Sequence, residues 1–158
     1  MDDKSEEINL LNQKVGKIFQ LAGFKVSHNI ILEDCNVRLL AVIDLPNVRE
    51  DFKVACDFQY EDSEVPAREL IMSWIDKNKK LRADKVIIAL CGIELYGEDR
   101  EMAEEHGILI WEESDVADYL NHIQRDREDG TKRIMAELDL DSYQDPDANY
   151  IPAGRGDH

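Results

Sequence analysis

With 158 residues, the chain is long enough for one domain that buries about two-thirds of its unfolded surface, and no second domain is required. Its 35 acidic and 19 basic residues give a formal net charge of −16, which repels phosphate backbones, argues against unaided tight nucleic-acid binding and favours a basic protein partner. The longest apolar runs, such as VIIALCGI from Val86, fall far short of the roughly 20 residues that cross a bilayer, and the opening MDDKSEE lacks the basic-then-apolar layout of an export signal; a cytoplasmic, non-membrane protein is expected.

From Ile8 to Ala22 the apolar residues Ile8, Leu11, Val15, Ile18, Phe19 and Ala22 recur at three- and four-residue steps, the stripe of an amphipathic helix that Gly23 would end as a left-handed cap. Three runs rich in Val, Ile, Leu and Phe follow, at 25–32, 36–44 and 52–60, with Pro46 and Asn47 suited to the second turn. They predict a meander of antiparallel strands. Pro66 can open a second helix whose inward stripe is Ala67, Leu70, Ile71, Trp74 and Ile75. DKVIIALC is apolar throughout, as a strand covered on both faces is. A short helix over 98–106 closes at Gly107 and ILIW makes a fifth strand. Ser114 or Asp115 then caps a last helix with Val116, Tyr119, Leu120 and Ile123 inward. The order α-β-β-β-α-β-α-β-α predicts an α/β fold, a mixed five-stranded sheet with helices on both faces and later strands joined by crossovers. This domain is expected over 1–125. The remainder, 126–158, carries a net charge of −5 and is broken by Pro146, Pro152 and Gly154, so it reads as an acidic tail, extended or partly helical.

The chemistry concentrates in FKVACDFQY. Strand alternation puts Ala55, Asp57 and Gln59 on one face and Val54, Cys56 and Phe58 on the other, so the polar face offers one carboxylate and no lysine. Such a face could be a remnant of a metal site or the solvent side of a strand near a sheet edge. Cys35, Cys56 and Cys91 have no CxxC spacing and read as reduced core thiols; the four histidines have no HxH or HExxH spacing, and no metal site is expected. Lys77, Lys79, Lys80, Arg82 and Lys85 form a basic cluster that would serve either phosphate contact or the dipole at a helix C-terminus. Trp111 at the end of the fifth strand is expected to be partly exposed, a candidate partner surface.

Three passages, LNQKVGKIFQLAGFKV, NVRLLAVID with FKVACDFQY, and ADKVIIALCGIELYGEDREMAEEHGILIWEESDVADYL, resemble the PD-(D/E)xK nuclease superfamily, with its restriction-endonuclease-like fold, and within it Mrr-type endonucleases and archaeal Holliday-junction resolvases. The resemblance covers about residues 8–123. It implies a glutamate on the first helix, an aspartate on the second strand, and a glutamate and a lysine on the third. Together these hold Mg²⁺ and activate water against a phosphodiester. Carried over, those positions fall on Asn12, Arg38, Ala55 and Asp57, none of the required type. The resemblance therefore implies a catalytically degenerate nuclease-fold protein with no cofactor. It would act as a binding or regulatory subunit in DNA or RNA transactions, with a protein partner that is basic or part of a nucleic-acid-processing complex, a homodimer being a further option, and nucleic acid bound weakly or indirectly. The alternative is a shifted register, in which Asp44, Asp57 and Gln59 form the active site of a Mg²⁺-dependent endonuclease or junction resolvase.

Overall fold

The computed structural model describes residues 3–45, 49–60, 66–93, 95 and 97–140. Helix α1 spans Asp3–Leu21 and buries the predicted stripe from Ile8 through Ala22. Gly23 takes φ +97°, and the N–H groups of Gly23 and Phe24 donate to the carbonyls of Gln20 and Phe19. That is a Schellman closure, and the Phe19 and Phe24 rings meet edge to face at 5.0 Å as its apolar clasp.

Strands β1 (Lys25–Leu32), β2 (Cys35–Leu45) and β3 (Arg49–Tyr60) pair antiparallel in sequence order. The β1–β2 turn is two residues long, and both Glu33 (φ 52°) and Asp34 (φ 63°) are left-handed, as a type I′ turn demands. The predicted Pro46-Asn47 turn lies outside the described residues. Helix α2 (Ala67–Leu81) leads to β4 (Lys85–Cys91), α3 (Gly97–Glu105) to β5 (Ile108–Glu112), and both new pairings are parallel. The strand order is β1-β2-β3-β4-β5. Two crossovers of one hand, advancing the same way across the sheet, must lie on the same face. Accordingly Ile71, Trp74 and Leu81 of α2 and Ala103 of α3 pack with Leu40, Ala55, Val86, Ile88, Leu90 and Ile108.

The opposite face is covered by α1 and by α4 (Glu113–Arg125), whose Val116 and Ile123 pack with Leu39, Val54, Cys56, Phe58, Ile87 and Trp111. The cap of α4 differs from expectation: the helix starts at Glu113 because the Asp115 carboxylate reaches back to the Glu112 N–H at 2.8 Å. Trp111 also differs. It is 1% exposed, stacked on Phe19 at 6.0 Å and closed over by Tyr119 at 4.9 Å, so it belongs to the core and offers no partner surface.

The core continues past residue 125. Helix α5 (Arg127–Glu137) packs on α4, and Ile134, Met135, Leu138 and Leu140 are at most 3% exposed within the same core. The sequence signal was weak because the helix turns only this narrow stripe inward. Gly130 allows the approach: a Cβ there would lie 2.4 Å from the Ile123 Cα. The acidic segment 141–158 lies outside the described residues. Among the described residues no helix is long and apolar enough to cross a membrane.

Candidate functional site

Leu39 pairs with Cys56 across β2 and β3, so Arg38 and Asp57 are the next pair along, with side chains on the α2 face. Arg38 Nε lies 3.2 Å from Asp57 Oδ1. The other carboxylate oxygen, Oδ2, accepts from Trp74 Nε1 at 2.8 Å, and Oδ1 also accepts the Phe58 backbone N–H at 2.8 Å. Asp57 and Gln59 are 9% and 6% exposed, which corrects the solvent-side reading of this face: β3 is the middle strand of five, and α2 lies over it. A buried carboxylate requires such partners, and Asp57 has one cation and two neutral donors.

The four positions carried over from the nuclease pattern are brought together only in part. Arg38 and Asp57 touch, and Ala55, fully buried on the same face, contributes a methyl group. Asn12 is elsewhere, its side-chain oxygen 3.1 Å from His28 Nδ1. These residues do not fit a Mg²⁺ ion. The only carboxylate among them has its oxygens taken by two neutral donors, and a guanidinium stands against it. At a separation of about 4 Å a divalent cation would be repelled by that guanidinium by roughly 2 to 8 kcal/mol, depending on how far water screens the pair. Among the described residues no group of three or more His, Cys, Asp or Glu could hold a metal ion.

The shifted set is not assembled either. Asp44 is exposed and pairs with Asp51, six residues before Asp57 on β3, which puts the two carboxylates about 20 Å apart. Cys56, fully buried, has its thiol pushed up by burial and further by the Asp57 charge, the behaviour of a core thiol.

The basic cluster divides. Lys77 lays its ammonium over the Trp74 ring, 4.8 Å from the centroid, while Lys79 pairs with Asp76 at 3.4 Å. Arg82 is the left-handed cap residue of α2 (φ 59°), with its N–H on the Asn78 carbonyl. Lys85 is tied to Asp139 beyond α5 at 2.9 Å. Lys80 stays exposed on the last turn of α2. Trp74 was legible as core but not as the donor to Asp57. The available signal was that an inward indole needs an acceptor and the facing strand supplies one carboxylate.

No family model and no curated protein matches this sequence. Solved structures do. A protein of unknown function, AF1548, superposes with a TM-score of 0.53 at 14% identity over 82% of this chain and 96% of that one, a likeness that shows the fold alone. The DNA modification-dependent restriction endonuclease AspBHI gives 0.48 at 10% identity, over 86% of this chain and 35% of that one. The MspJI restriction endonuclease, solved with a 27-mer oligonucleotide, gives 0.43 at 12%, over 85% and 31%. This chain spans about a third of the length of those two endonucleases.

Proposed function

We propose that this chain is a catalytically degenerate nuclease-fold protein that binds rather than cuts, a regulatory or scaffolding subunit in DNA or RNA transactions working mainly through protein contacts. The observation that carries the reading is the Arg38–Asp57 pair. The resemblance asks for an aspartate at 38 and a lysine at 57; the chain has an arginine and an aspartate. Both charges are reversed, and the two reversed residues neutralise each other across adjacent strands. Reversal keeps the attraction that joins β2 to β3 and removes what hydrolysis needs, a carboxylate free to hold a metal and an amine beside the attacking water.

The alternative endonuclease needs Asp44 and Asp57 on one cation, and their separation of about 20 Å along the strands weighs against it. A net charge of −16 supports a basic protein partner over direct nucleic-acid affinity. Calorimetric titration with Mg²⁺ and Mn²⁺, together with cleavage assays on linear, branched and single-stranded DNA, tests the reading. No tight metal binding and no cleavage are expected. Metal-dependent cleavage that disappears in Asp57→Ala overturns it. Affinity purification of tagged protein identifies the partner.

A further inference from the structure

We infer that Arg38 and Lys77 form a metal-free binding site for phosphate groups on the flank where α2 crosses the β1–β2 hairpin. The hairpin and the helix meet there: the Cys35 thiol lies 3.9 Å from the Lys77 carbonyl, and Val37 packs in the α2-side core. Asp57 forms an ion pair with Arg38 through one oxygen and accepts from Trp74 with the other, and the Trp74 ring carries Lys77. One buried carboxylate and one indole therefore set the positions of two cations. Arg38 faces Asp57 with Nε, and its side chain is 49% exposed, so its guanidinium also reaches solvent.

The chemistry selects the ligand class. A carboxylate would fill the guanidinium fork with both of its oxygens and leave nothing for the lysine. A phosphate group has a third oxygen, and linked phosphates present further ones, so two cations of different shape, a planar fork and a point charge, can be used together. Holding both cations in place before binding lowers the ordering cost. Against a net charge of −16 the affinity is low and falls steeply with salt. Asp57 is a positioning residue here; it does not touch the ligand.

This inference goes beyond the protein-contact reading, and its test is separable from it, because metal, cleavage and partner assays do not enter it. Tryptophan fluorescence of the full chain is followed at low salt, in EDTA, with inorganic tripolyphosphate or a short single-stranded oligodeoxynucleotide. Trp74 reports on a phosphate group drawn to the Lys77 ammonium beside its ring, while Trp111, buried on the other face, is a constant background. Saturable binding is expected, weakened at least tenfold by Lys77→Met and by Arg38→Gln. Lys77 is partly exposed, and Lys77→Met keeps its aliphatic stem, so this variant, checked by circular dichroism, keeps the test valid if Arg38→Gln destabilises. Tighter oligonucleotide than tripolyphosphate binding marks a nucleic-acid strand as the source of the phosphates; equal binding marks free phosphates. The site is overturned by no saturable change with either probe, by binding that needs Mg²⁺, or by binding that Lys77→Met leaves intact while joint neutralisation of Lys79, Lys80 and Arg82 removes it.

Discussion

A double-mutant cycle on Arg38 and Asp57 tests whether the reversed pair is a working contact. Removing one partner of a fully buried ion pair costs about 3–5 kcal/mol. Arg38, however, is half exposed and can exchange its partner for water, so Arg38→Gln is expected to cost about 1–2 kcal/mol. Asp57→Asn is nearly isosteric, but its amide sets two hydrogens where the carboxylate faced donors. Trp74 Nε1, Arg38 and the Phe58 N–H compete for one remaining acceptor, and an orphaned buried N–H costs about 1–3 kcal/mol. The Asn variant should therefore lose about 2–3 kcal/mol, and the double variant about 1 kcal/mol less than the sum of the singles. Urea unfolding with constant m-values reads these directly, and each kcal/mol shifts Tm by roughly 2–4 °C in a chain of this size. Single-variant costs that add to within about 0.3 kcal/mol would show that the two side chains are not energetically joined, and the argument from reversed polarity would fail.

Restoring the family pattern with Arg38→Asp, Ala55→Glu and Asp57→Lys should create Mg²⁺ affinity measurable by calorimetry; a triple variant that keeps its circular dichroism yet binds no metal refutes the residue assignment. Gly130→Ala sets a methyl group against the Ile123 backbone and should cost about 2–3 kcal/mol, although alanine favours helix by about 1 kcal/mol. An unchanged melting temperature would mean that α5 does not pack on α4. Glu33→Asn with Asp34→Gly suits the left-handed turn and should stabilise by about 1 kcal/mol in urea, a loss being the contrary result. The hydrogen bond from His122 is the main cause that holds the Asp129 carboxyl below its ordinary value. A depressed acid contributes stability above its unfolded value and loses it as pH falls through the folded one. Stability should thus decline below about pH 4, and less so in Asp129→Asn, as acid titration of the melting temperature would show.

The residues themselves determined the elements that bury a continuous stripe. Helix α1, the three-strand meander and the doubly covered β4 were legible because their apolar spacing matches 3.6, 2 and continuous patterns, which depend on local geometry alone. Asp57 stands on the face opposite Val54, Cys56 and Phe58, as strand alternation by itself requires. What covers that face was not legible. Burial of Asp57 follows from β3 being central and from α2 crossing over it, a result of two crossovers that no local pattern encodes. The burial of Trp111 is hidden for the same reason: at the end of an edge strand it reads as exposed until α4 folds back and Tyr119 closes it in. Helix α5 joined the core because Gly130 admits Ile123, a fit between two backbones that neither helix records in its own sequence. Arg38 and Asp57 were each read from the sequence as wrong for catalysis. Only register across two strands made them a pair, since hydrogen bonding between β2 and β3 fixes which residue stands opposite which.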